Sequence, residues 1–453
     1  MVLGLVCASL TDARTVCAAL CTSSSARQAI LARCSGTLLL HIDTNPLLAS
    51  SVANPAQAAL SMIIAQTAWV AQYGQLVRQL QLHSAVPSRA PIHLQGAEEP
   101  AMQAMLKLLP QLQQLQLEVS RPATVVKLLQ SSSLTRLHLL EQPLDVGAAA
   151  APSTAVAAAI KQLTSLRELA ITGSSHLAGD RAAAVFSGLQ HMTQLVLQPQ
   201  LPAAALAQLP SQLVKLQLAN PACDAAELVT HVAALPQLRS LGLMYSDPDL
   251  ARQHGVGDAS AWRSIISLRS LDLEFPAWGQ LQGNCKLCHA LAAAVADATA
   301  LTRLAISVPG GVDEGVDVVA MLWPLQQLQS LQLLAARPGS GLAPWPVETL
   351  RGLLSQQLTG LRSLTLSWGP LRQLVLSQIC LQATQLTQLV LLHADMGSGR
   401  MEMLSRSMTQ LRRLALCYCE SLSVSACGTP LVSEAIGAVM GDPLEASVNG
   451  VPL

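Results

Sequence analysis

Residues 268–273 have the sequence LRSLDL, and the same arrangement returns at residues 238–243 (LRSLGL), 328–333 (LQSLQL) and 361–366 (LRSLTL). Each stretch ends in two leucines one residue apart, and a third leucine lies three positions before them. Because side chains alternate between the two faces of a β-strand, the last two leucines of each stretch point the same way. The pattern therefore predicts strands that share one buried leucine face.

Thirteen copies of this unit, with Val, Ile or Met in place of some leucines, occur 21 to 35 residues apart. They begin at Val77, Leu112, Leu134, Leu166, Met192, Leu213, Leu238, Leu268, Leu301, Leu328, Leu361, Leu386 and Leu411. Residues 37–42 (TLLLHI) are a candidate fourteenth copy. A further match, LRQLVL at 371–376, follows its predecessor by only ten residues and is predicted to lie inside a helix.

The stretches between the copies are rich in Ala and have helical spacing, as in residues 224–235 (DAAELVTHVAAL) and 286–296. One strand, turn and helix cannot bury its own apolar face, so neighbouring copies must stack. We therefore predict an α/β solenoid with a parallel sheet on the concave face and helices on the convex face. It should occupy residues 37–422, between an N-terminal helical segment (1–36) and a C-terminal tail or partial cap (423–453).

The repeated unit resembles the leucine-rich-repeat family, in the longer strand-plus-helix form of ribonuclease-inhibitor-like proteins. The family places Asn or Cys eight residues after the first Leu, where the side chain binds turn backbone. Only Cys419 matches that position well; other copies have Ser120, Gln142, Ser174, Pro276, Pro309 or Gly369 there. The resemblance implies a horseshoe that binds proteins, and the missing Asn ladder predicts irregular turns between strand and helix.

The N-terminal segment resembles the later part of an F-box, in which an apolar helix and an Asp-containing turn precede a second helix. Val6, Leu10, Val16 and Leu20 would then form a partly exposed apolar surface for a Skp adaptor. The usual Leu-Pro start is absent, and serines at 23–25 replace the expected Trp. The alternatives are a helical cap on the first strand, or a transit peptide directing the chain to an organelle.

Composition favours a soluble protein without a polyanionic partner. The 27 basic and 27 acidic residues cancel, which argues against a dedicated nucleic-acid or anionic-membrane surface. No apolar stretch is long enough for a transmembrane helix. Eleven cysteines, an odd number without a regular framework, suggest reduced thiols and hence a cytoplasmic or nuclear location.

Motifs of catalysis and metal binding are weak. Cys285-Lys-Leu-Cys288-His289 matches the c-type haem attachment pattern, but it opens a predicted amphipathic helix and is interpreted as helix and core thiols. The pair Cys417 and Cys419 lies about five repeats away, roughly 24 Å, too far to complete a zinc site. No nucleophile elbow, phosphate loop or zinc-protease motif occurs. We expect no enzyme activity, cofactor or metal.

A partner would contact the strand positions on either side of the inward leucines. Glutamines such as Gln79, Gln81, Gln114 and Gln116 are frequent there, and charges of both signs are mixed, so no nucleic acid is expected. The candidate partner-binding residues are Asp272, Glu274, Arg303 and Arg413, with four aromatic residues seven positions after a first Leu: Tyr245, Phe275, Trp368 and Tyr418. Packing at the sheet edge is the alternative role for these rings.

The predicted function is a non-catalytic protein-binding scaffold, either the substrate receptor of an SCF-type ubiquitin ligase or a structural or regulatory repeat protein.

Overall fold

The strands that follow the leucine pattern belong to two compact units of the chain. The first unit ends at Ala222 and also includes Leu235–Gln237, and the second consists of the other residues from Cys223 onward. The computed structural model describes residues 38–43, 61–84, 103–119, 133–141, 154–172, 180–198, 201–244, 267–274, 295–308, 325–335, 360–367, 373–392, 403–417 and 447–452, with gaps of one or two residues inside several ranges.

The described part of the first unit contains seven strands, and each of β2 to β7 is parallel to the strand before it in the chain. They are β1 (Leu38–Asp43), β2 (Val77–Ser84), β3 (Gln114–Val119), β4 (Arg136–Glu141), β5 (Glu168–Thr172), β6 (Gln194–Leu197) and β7 (Lys215–Ala219). Because strand order equals chain order, the first and last strands are not neighbours, and the sheet is open. The candidate copy at 37–42 is confirmed as β1.

Among the described residues of the second unit, seven more strands repeat this arrangement in chain order. They are β8 (Ser240–Met244), β9 (Ser270–Glu274), β10 (Arg303–Val308), β11 (Ser330–Ala335), β12 (Ser363–Ser367), β13 (Gln388–Leu392) and β14 (Arg413–Cys417). A separate antiparallel pair follows, β15 (Ser447–Val448) with β16 (Val451–Pro452). The predicted parallel strands are thus confirmed in both units, which have a solenoid-like architecture.

The inward leucines of neighbouring strands lie side by side. Leu304, with no exposed surface, is the Cα partner of Leu271 and of Leu331, which are 2% and 1% exposed. One position later, Ala305 is aligned with Asp272. The burial pattern alternates along β5, β6, β9 and β13 as the sequence predicts, whereas the small residues Gly242 in β8 and Ala305 in β10 are buried between the leucines. A continuous leucine layer therefore forms the core of each sheet, and the alternate side chains form what we call its open face.

Among the described residues, the helices are less regular in length and spacing than the strands. They are α1 (Thr154–Lys161), α2 (Asp180–Phe186), α3 (Ala203–Leu206), α4 (Ala225–Ala233) and α5 (Gln373–Gln382). Helical residues also occur within 61–71, 103–107 and 403–407, and a 3-10 turn spans Gly74–Leu76. Helix α4 confirms the prediction for 224–235, and α5 confirms that residues 373–376 of LRQLVL are helical. Helix α3 has a single turn because the two copies around it are the closest in sequence.

A ladder of hydrogen bonds runs along the edge where the strands begin. The backbone amides of Thr193 and Gln194 both donate to the Arg167 carbonyl, at 2.8 and 3.0 Å, and the Thr193 hydroxyl donates to the same oxygen at 3.1 Å. The same threefold arrangement joins Thr135 to Gln113, Thr302 to Arg269 and Thr387 to Arg362. These bonds fix the spacing of successive repeats just before each strand, at the opposite end from the Asn ladder that the sequence lacks.

Candidate functional site

A shallow depression lies on the open face of the first unit, across strands β2 to β5. Its floor is formed by the inward residues Leu80 and Leu115, and polar side chains surround it. These are Gln79, Gln81, Gln114, Gln116, Arg136, His138 and Glu168. Every one occupies an outward strand position that the alternation of the sequence predicts to be accessible.

Four of these side chains form a two-by-two array of amides. Gln79 is the Cα partner of Gln114, and Gln81 is the partner of Gln116, so the array spans β2 and β3. All four glutamines are half-buried. Each amide offers both hydrogen-bond donors and an acceptor. The array can therefore bind neutral polar groups, such as the backbone of another chain, without any change in its own charge.

A carboxylate with two partners closes the other side of the depression. Glu168 Oε2 lies 3.2 Å from Arg136 Nε, and Glu168 Oε1 lies 2.9 Å from His138 Nε2. Strand register explains the grouping, because Glu168 is the Cα partner of Arg136 and His138 lies two residues further along the same face of β4. An ionised carboxylate only accepts hydrogen bonds, so His138 Nε2 carries the hydrogen.

This cluster orients side chains more than it stabilises the fold. The Arg136 side chain is 52% exposed and that of His138 is 34% exposed, so water screens both interactions. Exposed ion pairs typically contribute about 0–1 kcal/mol to stability. Two fixed contacts to one carboxylate do, however, restrict all three side chains. The depression therefore has a preorganised polar wall.

The size of the depression limits what it can hold. Its volume is about 80 Å³, whereas pockets for small-molecule ligands usually measure about 300–1,000 Å³. Within the part of the chain that the structure describes, no group of three or more His, Cys, Asp or Glu residues is placed to bind a metal ion. The space suits one protruding side chain of a larger partner that rests on the open face.

In the second unit, the candidate residues from the sequence are only partly brought together. Asp272 and Glu274 lie on β9, and Arg303 lies on the adjacent β10, aligned with Ser270. Arg413 is on β14, four strands beyond β10, which corresponds to about 19 Å at the usual strand spacing. Asp272 lies two residues and Glu274 four residues beyond the β9 position aligned with Arg303, about 7 and 13 Å along the strand. The structure thus brings Arg303 near Asp272, but not near Glu274 or Arg413.

The two acids on β9 give this region a negative character. Partial burial, and secondly the negative charge of Asp272, raise the pKa of the Glu274 carboxyl group above its ordinary value. Residue Glu274 as a whole remains exposed, so solvent screening keeps the effect modest. Two nearby carboxylates on one strand favour a partner with a cationic group at this point.

Comparison with protein families and with curated proteins finds no family and no curated sequence that matches this chain. No helix among the described residues is long and apolar enough to cross a membrane.

Several sequence predictions fall outside the described residues. Tyr245, Phe275, Trp368 and Tyr418 each come directly after the last residue of a described strand, but the structure does not describe them. Val6, Leu10, Val16 and Leu20 and the tail from residue 423 to 446 are outside it as well. Cys285, Cys288 and His289 are also not described. The roles predicted for these residues remain predictions.

One thiol can be examined for reactivity. Cys380 in α5 is a free, buried cysteine. Burial raises the pKa of its thiol to about 11. Since the thiolate is the reactive form of cysteine, Cys380 is predominantly unreactive at neutral pH and belongs to the core.

Sequence reasoning found the glutamines but missed two groupings. The sequence gives no reason to single out His138, which shares Glu168 with Arg136 in the structure. Superposing the copies that begin at Leu134 and Leu166 would have placed Arg136 beside Glu168. It also overlooked the position directly after the first Leu of each copy, where Arg or Thr recurs; this is the position that forms the edge ladder.

Proposed function

We propose that this chain is a leucine-rich-repeat protein whose open face binds another protein, with the strands lining the concave side of a horseshoe. The recurring Leu-x-x-Leu-x-Leu unit and the aligned leucine layer support assignment to this class. Stacked repeats of this kind present extended surfaces suited to macromolecular partners. The proposed role is non-catalytic.

The depression across β2 to β5 is the observation that carries the proposal. It joins an array of amides to a wall of charged groups on adjacent, hydrogen-bonded strands, so the backbone that carries these side chains is held in place. A binding surface held on rigid elements loses little conformational entropy when a partner docks. Its small volume favours one anchoring side chain of a protein over an enclosed metabolite.

The amide array should matter for partner capture. We expect the double variant Gln81→Ala/Gln116→Ala to retain its fold and to bind the physiological partner about tenfold more weakly, because two hydrogen bonds of about 0.5–1.5 kcal/mol each are lost. Affinity purification of the tagged full-length chain, followed by quantitative mass spectrometry, identifies the proteins that wild type retains. Titration of the purified partner then measures the loss.

A matched control is Gln162→Ala, because Gln162 is an exposed glutamine in the turn between α1 and β5. This variant should capture the partner as wild type does. Unchanged affinity in the double variant would place the binding surface elsewhere and contradict the role of the depression.

The N-terminal segment adds a second part to the proposal. If Val6, Leu10, Val16 and Leu20 form an F-box-like surface, the chain is a substrate receptor of an SCF-type ubiquitin ligase in the cytoplasm or nucleus. Recovery of a Skp adaptor with the full-length chain would support this role. Recovery of none would favour a structural or regulatory repeat protein whose N-terminal segment caps the first strand or directs the chain to an organelle.

A further inference from the structure

A row of arginines lies along one edge of the second unit, where strands β8 to β14 begin. We call it the arginine strip; it consists of Arg239, Arg269, Arg303, Arg362, Arg412 and Arg413, and all six residues are exposed. Each occupies one of the two positions immediately before an inward strand leucine. None of the residues at these two positions in β8 to β14 is Asp or Glu.

The edge ladder explains why these side chains face solvent. The carbonyl oxygen of Arg269 accepts the amides of Thr302 and Arg303 at 2.9 and 3.0 Å, and that of Arg362 accepts the amides of Thr387 and Gln388 at 2.8 and 3.0 Å. The Arg239 guanidinium donates to the Ser267 carbonyl at 3.1 Å, which fixes its position along the edge. The backbone carbonyls of Arg269 and Arg362 are thus used by the edge ladder, and the side chains of these residues extend into solvent.

The corresponding edge of the first unit differs in charge. Its two positions contain Arg78, Arg136, Arg167 and Lys215, but also Glu168, which forms an ion pair with Arg136. Arg78 donates to the Gln111 carbonyl at 3.2 Å. The strip of the second unit is therefore the most positive edge among the described strands, although the whole chain has no net charge.

We propose that the arginine strip binds an extended, acidic segment of a protein, a proposal that rests on the chain being a protein-binding scaffold. Guanidinium groups pair with carboxylates through two parallel hydrogen bonds, which favours Asp and Glu side chains. Ser240, Ser270, Ser330 and Ser363, which occupy the second edge position, add hydroxyl donors between the arginines. Six steps between strands measure about 29 Å, the length of roughly nine extended residues.

Two observations favour an acidic peptide over nucleic acid. The described residues of the strip include no aromatic side chain, so bases would find no stacking platform there. Asp272 lies only about 7 Å along β9 from Ser270, so a wide polyanion would bring phosphates over the carboxylates of Asp272 and Glu274. A single extended chain can follow the edge without covering them.

The test uses a fluorescein-labelled peptide of about ten residues composed of Asp and Glu, with its Asn and Gln counterpart as control probe. Fluorescence anisotropy with the full-length chain should show binding of the acidic peptide that weakens as salt increases, because exposed charges are screened. The double variant Arg269→Glu/Arg362→Glu should weaken Kd by more than about tenfold. The milder variant Arg269→Gln/Arg362→Gln should give an intermediate loss of affinity. Because it removes charge without reversing it, it keeps the test valid if the Glu variant misfolds.

The matched control is Lys107→Glu/Lys161→Glu, which makes the same change in net charge at exposed helical positions of the first unit. It should bind the peptide almost as wild type does. Equal weakening by both charge reversals, no binding by wild type at low salt, or tighter binding of single-stranded RNA or duplex DNA than of the peptide would overturn the proposal. If the acidic peptide does not bind but the Gln81→Ala/Gln116→Ala variant still loses its partner, the proposed function stands and only the role of the arginine strip is wrong. If the peptide binds as expected but the glutamine variant keeps its partner, the depression is not the binding surface and the arginine strip remains one.

Discussion

Replacing Leu331 with Asp is expected to unfold the sheet of the second unit. Leu331 is 1% exposed and lies between Leu304 and Leu364 on the neighbouring strands. A carboxylate there would have apolar neighbours on both sides, and burying an unpaired charge costs several kcal/mol. Since folded domains are stable by only about 5–15 kcal/mol, that loss is a large part of the total. Leu271→Asp should behave in the same way.

Circular dichroism during urea titration measures this effect, and Gln332→Asp is the matched control. Gln332 is the next residue along β11 and lies on the open face, where a carboxylate stays hydrated. We expect the Gln332 variant to unfold near the wild-type midpoint, and the Leu331 variant to start with less β-structure and to lack the part of the transition that belongs to the second unit. Similar behaviour of the two variants would mean that the alternation of buried and open positions is wrong.

The second large effect concerns Phe186, the last residue of α2. Its side chain has no exposed surface, and α2 packs beside α1 and α3. Truncation to Ala should destabilise the first unit by about 3–5 kcal/mol, through lost burial and the cavity that remains. Phe186→Leu should lose distinctly less because it keeps much of the volume.

Thermal unfolding of the purified chain measures this difference. Hydrogen exchange at β5 and β6 identifies the transition that belongs to the first unit. The exposed-site variant Gln208→Ala controls for changes outside the core. If Phe186→Ala unfolded at the same temperature as Gln208→Ala instead of at a clearly lower one, the helical layer would not stabilise this sheet.

The strands could be predicted because their physical cause is local. Two leucines one residue apart must share a face, and the repetition of this pair sets the register of Leu271, Leu304 and Leu331 without further information. Spacing also separated the true copies from LRQLVL at 371–376, whose residues 373–376 lie in α5. The first and last residues of the helices were harder to predict, because the number of residues between two copies varies and sets how many helical turns fit there.

The residues of the two proposed binding surfaces were less predictable, because the alternation of buried and open positions ends where the strand ends. Arg269 has the same parity as the buried Leu271, which would predict that it faces the core. Strand β9 begins only at Ser270, however, so Arg269 belongs to the ladder and is exposed. Likewise, the contact of His138 with Glu168 joins residues 30 positions apart and depends on register between strands, which a pass along the sequence does not show.

The parallel, in-register pairing of successive repeats is the central claim, and disulfide formation between strands β11 and β12 tests it most directly. Ser330 and Ser363 are Cα partners, whereas Ser367 is aligned with Leu334, four residues further along. Disulfides need Cα atoms about 4.4–6.8 Å apart. Mild oxidation followed by peptide mapping should therefore find a cross-link in Ser330→Cys/Ser363→Cys and none in Ser330→Cys/Ser367→Cys, whose Cα atoms are separated by more than about 13 Å along the strand. A cross-link in the second pair and none in the first would mean antiparallel strands and would contradict the account.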